Sequence, residues 1–179
     1  MNKCVFLDRD GIINESIIVN KKPVAPNNLS ELRIIKGIKE QLIKLKELKY
    51  YLIVITNQPD VVRNLTSMSS VEEINKYIMA QLPIDDIYVC FHDDLDNCNC
   101  RKPKPGNIIK ASIDYSIDLA ASYMIGDRWR DVEAGINAGT RTIFVDYNYD
   151  ELKPKNYTYC TKSSVEALDI VLREAYENN

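Results

Sequence analysis

Short, continuous apolar runs alternate with amphipathic stretches along the chain. The runs at residues 4–7 and 51–55 predict buried β-strands, because neither alternates with polar residues as a half-exposed strand would. Shorter apolar runs at residues 87–89, 123–125 and 142–145 predict further strands. The pattern therefore predicts a series of short strands spread over most of the chain.

Helical spacing of apolar residues occupies the segments between these runs. After Gly37, apolar residues recur every three or four positions opposite a Lys- and Glu-rich face: Ile38, Leu42, Leu45 and Leu48. Ser69 with Glu72 three residues later is a capping-box pattern, which predicts the start of a second helix. The same spacing predicts two more helices, one through Ile109, Ile113 and Ile117 and a C-terminal one through Val165, Leu168 and Leu172.

Strands that alternate with helices predict the α/β class. We expect a three-layer α/β/α, Rossmann-like parallel sheet with right-handed crossovers. The 179 residues show no linker, repeat or insertion large enough for a cap domain, so a single domain over residues 1–179 is expected. Residues 15–33, which contain two prolines, are expected to form an irregular excursion after the first strand.

Polar residues follow three of the predicted strands, at the end where a parallel sheet of this kind binds its ligand. Asp8-Arg9-Asp10-Gly11 follows the first strand, Thr56-Asn57-Gln58 follows the second, and Gly126-Asp127 follows the run at residues 123–125. Because the carboxyl ends of parallel strands meet at one edge of the sheet, we expect these side chains to converge on one site.

Asp8, Asp10 and Asp127 would then form an oxygen-rich site suited to Mg²⁺, a hard ion that prefers carboxylates, water and substrate phosphate. A carboxylate can also attack phosphorus and form an aspartyl-phosphate, which divides one difficult displacement into two. On its own, Asp-x-Asp-Gly is more typical of a solvated turn. The matching polar residues at the other strand ends favour the site.

Three of the five cysteines lie close to the only histidine: Cys90, His92, Cys98 and Cys100. Three thiolates and one imidazole complete a tetrahedral zinc site and leave no position for water, so this zinc would be structural. The alternative is three reduced cysteines beside a surface histidine. The loop at residues 90–100 leads directly into Arg101 and Lys102, and a bound zinc would hold that segment in place.

Composition narrows the functional classes. The chain is 45% hydrophobic and 27% charged, which excludes disordered and low-complexity proteins. Its 23 Lys and Arg against 26 Asp and Glu give a net charge of −3, which argues against a general nucleic-acid binder. No apolar run approaches the ~20 residues of a membrane span, and no signal-peptide pattern is present. We expect a cytoplasmic monomer with no membrane or nucleic-acid partner.

Four ordered motifs resemble those of the haloacid dehalogenase superfamily: Phe6 to Asn14, Ile55 to Gln58, Cys100 to Gly106, and Gly126 to Asp131. They are most similar to those of a branch of small phosphatases whose members act on heptose 1,7-bisphosphate or on histidinol phosphate. The resemblance covers roughly residues 3–147 in the same order along the chain. It implies a phosphatase with a zinc-binding loop and no large cap domain.

The resemblance also implies catalytic roles. Asp8 would be the nucleophile and Asp10 the general acid and base. Thr56 would bind the phosphoryl oxygens, and Lys102 would neutralise the phosphoryl charge as the transition state forms. Mg²⁺ would be held by the side chains of Asp8 and Asp127 and by the backbone carbonyl of Asp10.

Substrate-binding roles follow from the same resemblance. Asn57, beside Thr56, would contact the substrate, as would Arg101 and Arg128. The planar guanidinium of Arg101 suits a second phosphate or a sugar hydroxyl. Asp131 would orient Asp127 or a metal-bound water. Arg130 is equally consistent with a solvated loop charge.

We expect a phosphorylated sugar as substrate, with loss of the 7-phosphate of D-glycero-D-manno-heptose 1,7-bisphosphate as the first choice. Histidinol phosphate is the nearest alternative, since only five residues separate His92 from Cys98. The segment Pro59 to Asn64 and the lack of a Gly-Tyr pair after Asn14 depart from the heptose enzymes. A polynucleotide 3′-phosphatase is disfavoured by the acidic charge, and a non-catalytic zinc-containing binding module by the intact motifs.

Overall fold

The computed structural model describes residues 1–177, which form one six-stranded parallel sheet, a two-stranded hairpin and five α-helices. The strands are β1 (Cys4–Leu7), β2 (Ile17–Val19), β3 (Lys22–Val24), β4 (Tyr51–Asn57), β5 (Asp86–Cys90), β6 (Tyr123–Gly126), β7 (Arg141–Val145) and β8 (Tyr159–Thr161). The α-helices are α1 (Ile38–Glu47), α2 (Met68–Gln81), α3 (Gly106–Asp114), α4 (Trp129–Ala138) and α5 (Ser164–Glu177).

The parallel sheet has the order β5-β4-β1-β6-β7-β8. The chain starts at the centre with β1, extends to one side through β4 and β5, and returns to the other side of β1 with β6. This reversal opens a crevice at the carboxyl ends of the central strands, which is where sheets of this type bind ligands. All the strands predicted from the apolar runs are present, and β8 is an addition at one edge.

Residues of the central strands alternate between the two faces of the sheet because successive side chains point to opposite sides. Val5 and Leu7 pack with the buried faces of α1, α2 and α5. Cys4 and Phe6 pack with those of α3 and α4. Helices therefore cover both faces, and the predicted three-layer α/β/α architecture is confirmed.

The start of α2 differs from the predicted capping box at Ser69 and Glu72. The N-cap is Ser67, which has extended backbone angles and accepts a hydrogen bond from the backbone N–H of Ser70 at 3.0 Å. Because the chain turns helical at Met68, Ser69 already lies inside the first turn, where its hydroxyl cannot cap the helix.

The apolar stripe predicted for α3 was wrong at Ile113, whereas Ile109 packs against the core. The buried apolar side chains are Ile108 and Ala111, whereas Ile113 is 73% exposed. The helix ends at Asp114, so Ile117 lies beyond it and belongs to a different segment. A spacing of four residues identifies one helical face only while the helix continues.

Residues 15–33 are more regular than expected, because β2 and β3 pair there as an antiparallel hairpin. Its turn residues Asn20 and Lys21 have φ values of 50° and 63°, the left-handed pair that a tight hairpin turn requires. The sequence signal is weak because lysine occupies a position where glycine is preferred. Among residues 1–177, no helix has the length and apolar character needed to cross a membrane.

Candidate active site

An open cavity of about 340 Å³ lies at the carboxyl ends of the central strands. Its inner part is lined by residues that follow β1, end or follow β4, precede α3 or begin α4: Asp8, Asp10, Asn57, Gln58, Lys102 and Asp131. The hairpin contributes Pro23 and Val24 on one side. The sheet thus brings together the polar segments that follow three separate strands, as the sequence predicted.

A sharp turn after β1 places the two aspartates of the first motif. Gly11 has a φ of +94°, and a Cβ at this position would lie 2.0 Å from a carboxylate oxygen of Asp127. Its N–H donates to the Asn14 carbonyl at 2.7 Å, which closes the turn. Only glycine satisfies both the left-handed backbone and the close approach of Asp127.

Three buried carboxylates and one buried ammonium lie together at the inner end of the cavity. Oxygens of Asp8, Asp127 and Asp131 all lie within 4.8 Å of one another. Lys102 Nζ donates to Asp8 at 2.6 Å, forms an ion pair with Asp131 at 2.7 Å, and donates to the Ile55 carbonyl at 2.6 Å. When all of these groups are ionised, the cluster carries three negative charges against one positive charge.

The electrostatics of the cluster follow from burial and from this crowding. Burial, and next the charge of Asp131, raise the pKa of Asp8 to about 7, although Lys102 opposes the shift. Burial and the charge of Asp8 raise the pKa of Asp127 well above its usual range. Burial acts to lower the pKa of Lys102, but Asp131 and Asp8 outweigh it and raise that pKa.

These residues fit a divalent cation. Neither carboxylate oxygen of Asp127 has a partner with normal hydrogen-bond geometry, although the nearby Tyr149 hydroxyl acts to lower its pKa. Buried carboxylate oxygens without partners are costly unless an ion or a proton compensates them. Oxygen donors from Asp8 and Asp127 are the set that Mg²⁺ prefers.

The side chain of Asp10 lies outside this carboxylate cluster and is held by three neighbours. Arg9 donates to both of its oxygens at 3.1 and 3.0 Å, Gln58 donates at 2.7 Å, and Asn14 donates at 3.0 Å. Arg9 is fully buried and also donates to Asn75 on α2 at 3.1 Å. Arg9, Asn14 and Gln58 all belong to the sequence motifs, but the motifs alone did not predict that these residues hold Asp10.

The second motif also serves to position its neighbours. Thr56 is 1% exposed, and its hydroxyl accepts a hydrogen bond from Gln58 at 2.9 Å. Asn57 Oδ1 accepts from the Lys102 N–H at 3.1 Å, and Asn57 Nδ2 donates to the Lys102 carbonyl at 3.1 Å. The phosphate-binding role of Thr56 and the substrate contact of Asn57 stay predictions.

Asp131 has different partners from those expected. Its two oxygens contact Lys102 Nζ and accept from the Arg128 backbone N–H at 3.0 Å, so it positions the lysine and caps α4. That Asp131 orients Asp127 or a metal-bound water stays a prediction.

The predicted substrate arginines occupy two different places. Arg128 lines the cavity, where Glu151 pairs with it at 2.8 and 2.5 Å. Arg101 instead lines a small neighbouring pocket. It donates hydrogen bonds to Asp94 at 2.9 Å and to the His92 carbonyl at 3.2 Å. Their contacts with substrate stay predictions.

The Cys and His residues of the loop at 90–100 form a compact cluster. Five pairs among the three sulfur atoms and the histidine Nδ1 atom are 3.2 to 3.7 Å apart; the residues are Cys90, His92, Cys98 and Cys100. Zinc bound tetrahedrally at about 2.3 Å from each sulfur would separate the sulfurs by about 3.8 Å. Burial acts to raise the pKa of Cys98, but hydrogen bonds from Cys100 and from the Arg101 backbone lower it to about 7. The cluster fits a structural zinc ion.

Proteins named as phosphatases match almost the whole chain. A Helicobacter pylori protein named D-glycero-beta-D-manno-heptose-1,7-bisphosphate 7-phosphatase is 36% identical over 176 residues, which are 95% of this chain and 98% of the relative. The chain belongs to this family of heptose-bisphosphate phosphatases. A family model described as HAD-hydrolase-like also matches residues 99–162.

Other members of the family agree with this placement. A Campylobacter jejuni protein named D-glycero-alpha-D-manno-heptose-1,7-bisphosphate 7-phosphatase is 34% identical over 148 residues, covering 80% of this chain and 81% of the relative. The solved heptose 1,7-bisphosphate phosphatase of B. bronchiseptica, complexed with magnesium and phosphate, superposes with a TM-score of 0.81 at 24% identity over 96% of this chain and 99% of that one. The predicted haloacid dehalogenase-like fold and phosphatase class are therefore confirmed. The alternative of a non-catalytic binding module was wrong.

Proposed function

We propose that this phosphatase is a Mg²⁺-dependent phosphomonoesterase that removes the 7-phosphate of D-glycero-D-manno-heptose 1,7-bisphosphate through an aspartyl-phosphate on Asp8. The observation that carries the mechanism is the pairing of Asp8 with Lys102 at 2.6 Å, at the inner end of a cavity that also contains Asp10. A nucleophile, a compact cation and a second carboxylate therefore share one site.

In the first half of the reaction, an Asp8 oxygen attacks phosphorus and the bond from phosphorus to the sugar oxygen breaks. Asp10 donates a proton to the departing oxygen, which leaves as the sugar hydroxyl. In the second half, Asp10 accepts a proton from water as that water attacks phosphorus, and the bond to Asp8 breaks to release phosphate. The bonds from Arg9, Gln58 and Asn14 hold Asp10 in one orientation for both transfers.

Lys102 compensates negative charge on the transferred phosphoryl group. Its ammonium is held by Asp131 and the Ile55 carbonyl, so it needs no rearrangement as charge develops. Bound Mg²⁺, held by Asp8 and Asp127, would neutralise further phosphoryl charge and bring substrate oxygen close to the nucleophile.

The heptose bisphosphate is the best-supported substrate because relatives that match 95% and 80% of the chain are named for it. Those relatives carry different anomers in their names, so both anomers are candidates. The cavity is covered from one side only by the β2–β3 hairpin and neighbouring loops, which suits a small soluble phosphate ester. Histidinol phosphate is the second candidate, favoured by the five-residue gap between His92 and Cys98.

Phosphate release tests the proposal directly. The parent and Asp8→Asn proteins would be compared, with saturating Mg²⁺, on both anomers of the bisphosphate and on histidinol phosphate. We expect the highest kcat/KM on one anomer, with ³¹P NMR showing that the 1-phosphate is retained. A higher kcat/KM on histidinol phosphate would show that the proposed substrate is wrong. Full activity without any divalent cation would show that the proposed Mg²⁺ dependence is wrong.

A further inference from the structure

Three arginines and two aspartates alternate in a connected row beside the cavity. Asp93 accepts from Arg63 at 2.6 and 2.7 Å and lies 3.9 Å from Arg101. Asp94 accepts from Arg101 at 2.9 Å and from Arg130 at 2.9 Å. The row therefore runs Arg63, Asp93, Arg101, Asp94, Arg130, with each carboxylate between two guanidinium groups.

Only the two ends of this row face the cavity. Arg63 and Arg130 line it together with Asp8 and Lys102, whereas Arg101, in the middle, lines the adjacent pocket. The side chains of Arg63 and Arg130 are 42% and 27% exposed, against 3% for Lys102, so the arginines lie toward solvent from the catalytic lysine. A ligand with one phosphate at Asp8 would extend toward them.

Both guanidinium groups keep hydrogen-bond donors available. Each has five N–H groups. Carboxylates occupy three of these on Arg63, two with Asp93 and a longer one with Asp60 at 3.3 Å. They occupy two on Arg130, both with Asp94. The remaining donors have no acceptor among the described residues and suit the oxygens of a phosphate.

The aspartates restrict how these arginines move. Asp93 holds the Arg63 guanidinium through two hydrogen bonds, at 2.6 and 2.7 Å. Asp93 and Asp94 directly follow His92 of the zinc cluster, so the loop that the metal would hold also carries the two carboxylates. An arginine oriented before the ligand arrives loses less side-chain entropy on binding.

We propose that Arg63 and Arg130, oriented by Asp93 and Asp94, form the subsite for a second anionic group at the far end of the substrate. This inference rests on the proposed phosphatase function and names the residues that would bind the second phosphate of its substrate. Guanidinium groups offer donors and positive charge only, so the cationic amine of histidinol phosphate would be repelled there. The row assigns Arg101 to holding the two carboxylates.

Steady-state kinetics on two substrates test this assignment. Arg63→Gln and Arg130→Gln would each be compared with the parent on the heptose 1,7-bisphosphate and on the same heptose with only a 7-phosphate. Each substitution removes charged hydrogen bonds, so we expect kcat/KM on the bisphosphate to fall about tenfold to a hundredfold, mainly through KM. On the monophosphate, we expect less than about a threefold change.

Arg173→Gln is the matched control, because Arg173 is an exposed arginine on α5 that does not line the cavity. It should leave both substrates unaffected. Asp94→Asn should raise KM for the bisphosphate more than KM for the monophosphate, since Asp94 acts through Arg130. Equal losses on the two substrates for Arg63→Gln and Arg130→Gln, or no loss on either, would overturn the subsite.

A second measurement tests this subsite independently of which compound is the natural substrate. Fructose 1,6-bisphosphate and fructose 6-phosphate would be used as inhibitors of p-nitrophenyl phosphate hydrolysis, and their inhibition constants compared in each variant. We expect the parent to bind the bisphosphate more tightly and both arginine variants to lose that preference. If the parent fails to hydrolyse the heptose bisphosphate but shows this pattern, the proposed substrate is wrong and the subsite stands. A preference that survives both substitutions overturns the subsite alone.

Discussion

The side-chain amide of Asn57 makes two hydrogen bonds to the backbone of Lys102, one to its N–H and one to its carbonyl, both at 3.1 Å. Asn57 is the last residue of β4, and Lys102 lies 45 residues further along the chain. Because the amide satisfies both backbone groups at once, it fixes the position from which the Lys102 side chain reaches Asp8. Asn57 therefore positions Lys102, the lysine to which we assign a catalytic role.

Replacing Asn57 by alanine should lower kcat by about tenfold to a hundredfold with little change in KM, because a displaced cation stabilises the transition state less well. Asn137→Ala is a suitable control, since Asn137 is exposed and its amide donates to the Pro103 carbonyl of the same loop at 3.2 Å. We expect the control to retain parental kinetics. A higher KM with unchanged kcat in Asn57→Ala would instead indicate a direct contact with substrate.

The Asp8→Asn protein should lose turnover entirely, since an amide cannot form the acyl-phosphate, and should still fold. Its melting temperature without Mg²⁺ should equal or exceed that of the parent, because the substitution removes one of three crowded carboxylates. Phosphate release and thermal unfolding followed by circular dichroism measure the two effects. Asp169→Asn, at an exposed position of α5, serves as the control. Residual activity well above background would remove Asp8 as the nucleophile.

Stability without Mg²⁺ should fall as pH rises toward neutrality. The pKa of Asp8 is raised from 3.8 to about 7, mainly by burial and next by Asp131, so the folded state favours the protonated carboxyl. The stabilisation is fully present below pH 3.8 and is lost as the pH rises through 7. Asp127, whose pKa is also raised, contributes in the same direction.

Thermal unfolding from pH 5 to pH 8, on protein freed of Mg²⁺ with zinc retained, should therefore show a declining melting temperature. The decline should be smaller in Asp8→Asn. Saturating Mg²⁺ should raise the melting temperature more at pH 8 than at pH 5, because the ion binds ionised carboxylates and competes with protons. A Mg²⁺ effect that does not depend on pH would contradict this linkage.

The purified protein should contain about one zinc ion per chain, bound by the four residues of the Cys and His cluster. Cys98→Ser should lower the zinc content and the melting temperature, because structural zinc contributes folding free energy directly. Cys160→Ser is the matched control, since Cys160 is an exposed free cysteine outside the cluster and its loss should change neither quantity. Elemental analysis and thermal unfolding provide both readouts. A metal-free parent expressed with adequate zinc, or a fully stable Cys98→Ser protein, would reject the site.

The strands were predicted more accurately than the buried faces of the helices, because a strand that is apolar on both faces can be identified from its own residues. The run that became β1 is apolar on both faces, so its identity does not depend on where its neighbours lie. In α3, by contrast, the buried face depends on where the helix begins and ends, and Ile113 falls on the exposed side. The β2–β3 hairpin was missed because its turn uses Asn20 and Lys21 rather than a glycine.

The sequence by itself determined the fold class and the chemistry available at the site. Apolar periodicity is a local property of the chain. The motif residues Asp8, Asp10 and Asp127 lie in or near turns directly after strands, at the end of a parallel sheet where ligands bind. The Cys and His cluster was equally readable, because its four ligands fall within a short stretch of chain.

Only the tertiary structure decided which polar residues work together. Asp131 pairs with Lys102, Asn57 holds the backbone of Lys102, and Arg63 rather than Arg101 reaches the cavity. Each relationship joins residues far apart in sequence, and it depends on strand order and on the paths of loops. A guanidinium can reach several partners from one backbone position, so the surrounding carboxylates determine where it points, and these come from separate parts of the chain.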